Sequence, residues 1–299
     1  MRTHVAPSGA SARARRSSLA ALLASLLCAA LVGAAASAAG ASSAQSATRA
    51  GTPEAPWAGA GPSSVATTDW GDWTVYYPAE ITRTTKRYPV VIWGNGTGVE
   101  SASTYAGLLK QWASWGIIVV GADEPSAGSG DAMLAGLDEL TTRSTTAGSP
   151  FHQSVDLANV AASGHSQGGA GAIKAGRDAR VDTVVAVQHG PTWGNPGPGS
   201  VRDLKGPLFM ILGQNDWIVS PGSAWITSDF STSPVETVRA TVKGVGHFAP
   251  ATNPAGFKGA TTAWLLSELT GGAAARALFA PSTFTLAGSS TFTDVRRHS

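Results

Sequence analysis

Val160-Ala161-Ala162-Ser163-Gly164-His165-Ser166-Gln167-Gly168-Gly169 is the stretch whose reading decides the fold. A short apolar run ends in Gly-x-Ser-x-Gly and passes straight into Gly169-Ala170-Gly171-Ala172-Ile173, the pattern of a strand, a one-residue elbow and a helix of small residues. A serine hydroxyl is a poor nucleophile at neutral pH. It needs a nearby base and a helix N-terminus whose N–H groups face developing negative charge. Ser166 is therefore the candidate nucleophile, and the remaining chain is searched for an acid, a histidine and an oxyanion donor.

Around the elbow, apolar runs alternate with helical patterns. Strands are predicted at Trp73 to Tyr77, Tyr88 to Trp93, Ile117 to Asp123, Val160 to Ser163, Val181 to Val187, Leu208 to Leu212 and Thr237 to Val242. Helices are predicted from a Ser101 cap to about Trp115, from Asp131 to Thr142, from the elbow to Ala175, and from Phe257 to Leu269. That alternation predicts an α/β protein with a mainly parallel central sheet and helices on both faces. No long insertion follows the strand at Val181 to Val187, so no separate lid domain is expected.

In such sheets the chemistry lies in loops at the carboxyl ends of the strands. Gln214-Asn215-Asp216 follows one strand and Gly244-Val245-Gly246-His247 follows the last. Ser166, Asp216 and His247 thus stand in the chain order Ser, Asp, His that this fold class uses. His247 is the expected base and Asp216 the carboxylate that orients it. For the oxyanion hole the expected donors are the backbone N–H of Gln167 and that of Gly96, in Gly94-Asn95-Gly96-Thr97-Gly98, with Asn95 and Thr97 as alternatives. Trp193, Thr97 and Trp217 are candidate substrate contacts. His189 precedes the acid loop and is expected to be structural. Asp123 precedes the nucleophile and is left out of the triad.

The chain has 299 residues, 43% of them hydrophobic, enough for one large core. Residues 1–38 have the form of a secretory signal peptide: Arg2, Arg13, Arg15 and Arg16, an apolar run from Leu19 to Val32, and Ala36-Ser37-Ala38 as the cleavage site. The apolar run is shorter than the roughly 20 residues of a spanning helix. Sec and twin-arginine export both stay open. Residues 39–64, rich in Ala, Ser, Gly and Pro, are expected to form a flexible linker, and residues 65–299 the catalytic domain. Cleavage would leave a secreted monomer without its single cysteine, Cys28, and would turn the formal charge from +2 to −2 by removing four arginines. That balance gives no reason to expect nucleic acid, and no metal-ligand spacing is present among the six histidines. No cofactor or metal is expected.

The Gly164-His165-Ser166-Gln167-Gly168 elbow, the Gln214-Asn215-Asp216 loop and the Gly246-His247 loop resemble the α/β-hydrolase superfamily. Tyr76-Tyr77-Pro78, the Gly-rich loop and the Trp193 loop look most like secreted bacterial cutinases and polyester hydrolases, with dienelactone hydrolases and chlorophyllases more distant. The resemblance spans roughly residues 65 to 299. It implies an α/β-hydrolase fold and a serine esterase that hydrolyses carboxylic or polyester bonds through an acyl-enzyme. It also implies a cleft lined by Trp193. Those relatives usually carry an aromatic residue where Gly96 is read, a methionine in place of Gln167, and a disulfide in the tail. The competing functions are acyl transfer by the same triad and a non-catalytic surface protein that has kept the fold.

Overall fold

An unbroken apolar run has no side to offer to water, so Tyr88–Gly94 must be covered on both faces. Every residue of this strand, β3, is buried. The computed structural model describes residues 51–191 and 201–299. The expected signal peptide, residues 39–50 of the expected linker, and Trp193 lie outside the described residues.

In chain order the remaining strands are β1 (Val65–Asp69), β2 (Trp73–Pro78), β4 (Ile118–Ala122), β5 (Val155–His165), β6 (Thr183–Val187), β7 (Leu208–Gly213), β8 (Thr237–Val242) and β9 (Phe292–His298). They form one sheet in the order β1-β2-β4-β3-β5-β6-β7-β8-β9. From β4 to β8 every pairing is parallel, whereas β1, β2 and β9 join antiparallel. This is the α/β-hydrolase fold, with the mainly parallel sheet expected. β5 lies between β3 and β6, with Gly164 level with Gly94 on one side and Ala186 on the other. The nucleophile loop therefore leaves the middle of the sheet.

The period of two along each strand sorts the core into two layers. Val91, Trp93, Val119, Ala161, Val185 and Phe209 meet one set of helices: α1 (Ala106–Ser114), through Leu108, Leu109 and Trp112, and α5 (Ala255–Thr270), through Phe257 and Trp264. Their neighbours Val90, Ile92, Val120, Ala162 and Val184 meet the other set: α2 (Asp131–Thr145), α3 (Gln167–Ala175) and α4 (Ala224–Thr232), through Leu137, Ile173 and Ile226. Ser101 accepts from the Ser103 N–H to open the turn that leads into α1, and Gly116, at φ 89°, closes the helix.

The N-terminal end of the domain departs from expectation. The linker was expected to reach residue 64, but Thr52 and Glu54 are buried, and Ala55–Trp57 forms a 3-10 turn. The Gln111 amide donates to the Trp57 carbonyl at 2.9 Å, so polar anchoring on α1 replaces the apolar period that a sequence reading looks for. The tail is held without a disulfide. Phe279 packs on Phe209 and Trp264, and β9 pairs with β8. The buried Glu54 carboxylate accepts from the Ser289 hydroxyl at 2.9 Å and from the Thr291 hydroxyl, joining the two ends of the domain. Removing both donors, as Ser289→Ala with Thr291→Val, strands a buried carboxylate. Urea denaturation is expected to show a loss of about 2–3 kcal/mol.

Candidate active site

β5 ends at His165, and α3 begins at Gln167, leaving Ser166 alone in the elbow at φ 55°, ψ −118°. A side chain at that φ costs about 1–3 kcal/mol. The surroundings impose it: the Ser166 N–H donates to the Val187 carbonyl at 3.0 Å, and its own carbonyl accepts from Ala170 and Gly190. The helix starts so close to the strand ends that a Cβ at Gly168 would collide with the Gly94 and Asn95 carbonyls, and one at Gly164 with Gly168. Glycine at both positions is what lets the turn be this tight.

The loops after β7 and β8 bring the other two predicted residues to Ser166. The Ser166 Oγ lies 3.0 Å from His247 Nε2, and His247 Nδ1 lies 2.7 Å from Asp216 Oδ2. Since a carboxylate only accepts, Nδ1 carries the proton and Nε2 is left free to take one from the serine. The other carboxylate oxygen, Oδ1, accepts from the Ile218 and Val219 N–H groups at 2.9 and 2.7 Å, which fixes the buried Asp216 side chain in place. The base loop is pinned separately: Asn215 N–H donates to the Val245 carbonyl, and the Gln188 amide donates to the Gly246 carbonyl.

The Gly-rich loop after β3 is rigidly held. The buried Asn95 accepts from Trp93 Nε1 at 3.0 Å and donates to the Val99 and Ala122 carbonyls at 3.1 and 2.8 Å. That use of its side chain makes Asn95 a staple of the loop. Asp123 has a similar role, accepting from the Ala102 N–H and the Thr74 hydroxyl. A Cβ added at Gly96 would stand 3.5 Å from Ser166 Cβ, so the loop lies directly against the nucleophile. The Gly96 N–H donates to Tyr105 Oη at 3.2 Å. The next residue, Thr97, is exposed, and its N–H meets no acceptor among the described residues. Gln167 N–H, at the first position of α3, is likewise free of an acceptor there.

The PET hydrolase-like family of PETases matches residues 33–267, most of the chain. The chain belongs to this family. Among individual proteins it is similar to a bis(hydroxyethyl) terephthalate hydrolase from Streptomyces coelicolor, 28% identical over 211 residues. That alignment covers 68% of this chain, which spans 64% of the relative's length.

Within this PET hydrolase-like chain, the other expected residues separate clearly. Trp217 is 81% exposed beside the acid, and Thr97 is exposed beside the nucleophile. His189 is buried, 3.9 Å from Asp229 of α4, with burial lowering its pKa and raising that of the aspartate. A cavity of about 220 Å³ opens beside Gln167, bounded by Ser126, Gly128, Ser129 and Lys174. A larger one, about 500 Å³, lies at the start of β5 among Arg87, His152 and Asp156, at the end of that strand away from Ser166. Among the described residues no group of His, Cys, Asp and Glu is placed to hold a metal ion. Sequence reasoning gave Tyr105 no role at the site, because nothing in the residue pattern signals that its hydroxyl meets the Gly96 N–H. Gly168→Ala is expected to force α3 away from β3, lowering stability by about 1–3 kcal/mol in a denaturant titration.

Proposed function

We propose that the protein is a secreted serine hydrolase of carboxylic esters, with small terephthalate diesters among its substrates. The observation that carries this reading is the unbroken run from Ser166 Oγ through His247 to Asp216, at 3.0 and 2.7 Å, on a serine held at positive φ. Family membership and the name of the Streptomyces coelicolor relative support the ester and the terephthalate. The leader with Ala36-Ser37-Ala38 supports export, and no helix among the described residues is long and apolar enough to cross a membrane.

In the proposed reaction Ser166 Oγ attacks the ester carbonyl as His247 Nε2 takes its proton. Asp216 keeps the imidazole in the required tautomer and stabilises the imidazolium. The tetrahedral oxyanion is met by the N–H groups of Gln167 and Thr97. His247 then protonates the leaving alcohol, and water, activated by the same nitrogen, releases the acid. Gln167 lines a cavity with Gly128 and Lys174, and the exposed Trp217 follows Asp216 in the chain.

The test is hydrolysis of bis(hydroxyethyl) terephthalate and of p-nitrophenyl butyrate, each with and without a dilute alcohol acceptor. Free acid is expected to accumulate ahead of any transfer product, and activity is expected to vanish in Ser166→Ala. Asp216→Asn, which presents the wrong partner to Nδ1–H, is expected to lower kcat about 10⁴-fold. Persistence in Ser166→Ala refutes the site, and transfer outrunning hydrolysis makes the enzyme an acyltransferase.

A further inference from the structure

His165, immediately before the nucleophile, is buried beneath the elbow and touches both flanking loops. Its Nε2 lies 2.8 Å from the backbone carbonyl oxygen of His247, and its Nδ1 lies 3.0 Å from Tyr105 Oη. Tyr105, itself buried, accepts from the Gly96 N–H at 3.2 Å. The protons can be assigned by elimination. A carbonyl only accepts, so Nε2 carries the hydrogen of the neutral ring and Nδ1 must accept. The tyrosine hydroxyl then donates to Nδ1, which leaves its oxygen lone pairs for Gly96. Each donor meets one acceptor, and all the donors point the same way along the chain, an arrangement in which hydrogen bonds reinforce one another.

We propose that Tyr105 and His165 are positioning residues, a hydrogen-bonded strut that holds the Gly96–Thr97 loop and the His247 loop in register around Ser166. The proposal rests on the hydrolase reading of that site. Its physical need comes from the sheet: the first loop leaves β3 and the second leaves β8, with β5, β6 and β7 between them. Strand pairing fixes each loop only to its own neighbours. The strut spans that gap directly, from an N–H in one loop to a carbonyl in the other. Both members stay neutral: burial lowers the His165 pKa well below the ordinary imidazole value, helped by the facing His247, and burial raises that of Tyr105. A neutral His165 also leaves the imidazolium formed on His247 unopposed, although the two ring centroids are only 4.6 Å apart.

The experiment uses the full chain, p-nitrophenyl butyrate and three variants. Tyr105→Phe removes one oxygen. His165→Asn keeps a polar group near the Nδ1 position, and His165→Gln keeps one near Nε2. A misplacement on the scale of 1 Å costs on the order of 100-fold. Tyr105→Phe is therefore expected to lower kcat about 10- to 100-fold, with KM within about twofold and the melting curve still cooperative. Combining it with His165→Asn is expected to cost no more than the worse single change, because both cut the same chain. A kcat for Tyr105→Phe within twofold of wild type, or effects that multiply in the double variant, would overturn the strut. His165→Gln is expected to retain more kcat than His165→Asn if the link to the base loop matters most, and the reverse order if the link to Tyr105 does; equal wild-type activity in both overturns the proposal.

A second readout is independent of turnover. In ¹⁵N-resolved spectra of the wild type, the His165 ring is expected to remain in its neutral Nε2–H form as the pH is lowered to about 5, well below the ordinary imidazole range. An Nδ1–H ring, or protonation in the ordinary range, overturns the assignment. A wild-type protein that is inert toward esters and toward a fluorophosphonate probe defeats the hydrolase reading instead, and the spectra then decide the strut alone.

Discussion

The site depends on one close approach, that of the first turn of α3 to the ends of β3 and β5. Gly164 and Gly168 leave no space that a Cβ could occupy, so the helix starts within van der Waals contact of the strand ends. That distance forces the connecting residue into a single step, and Ser166 takes it at positive φ. The same contact sets Gly168 against the Gly94 and Asn95 carbonyls, which places the Gly-rich loop beside the serine. The position of Ser166, the helix N-terminus and the Gly-rich loop are thus products of one packing constraint. Its cost is offset by the two-sided core that buries β3, β6 and the Val160–His165 part of β5 around it.

Asp216 and His247 reach this point across the sheet, and their hydrogen bonds fix the His247 tautomer. Asp216 is buried, an expensive place for a charge unless its oxygens are satisfied. Two backbone N–H groups and the His247 ring do so. With the carboxylate fixed as an acceptor, His247 has one available tautomer, and that tautomer presents a base to Ser166. His165 obeys the same logic in reverse, with a backbone carbonyl setting its proton on Nε2. Two histidines 4.6 Å apart therefore hold opposite tautomers, one poised to accept a proton and one kept from doing so.

The central sheet and the three residues that meet at its carboxyl edge were legible in the sequence because each carries a strong pattern. Fully buried parallel strands are nearly all apolar, and Ser166, Asp216 and His247 sit at strand ends in a telling order. The edges were not legible. β1 and β9 read Val-Ala-Thr-Thr-Asp and Phe-Thr-Asp-Val-Arg-Arg-His, half-exposed strands whose polarity matches that of loops. Residues 51–64 lack an apolar period, and their docking depends on Glu54 and on the Gln111 amide, partners distant in sequence. The partner of the Gly96 N–H was hidden for a related reason: the loop was identifiable from its glycines, but the Tyr105 hydroxyl that this N–H meets lies nine residues away and is brought back by the turn into α1. Backbone donors are set by tertiary contacts and leave no mark on residue type.

The central claim is that Ser166 is the atom to which an acyl group is passed. Rapid quenching of the reaction with p-nitrophenyl butyrate, followed by peptide mass spectrometry, tests it directly. The account predicts a butyryl group on the peptide containing Ser166, formed no more slowly than p-nitrophenol is released in the first turnover and then lost to water. Turnover with no acyl-protein at the earliest quench times, or a butyryl group on any other residue, would contradict it.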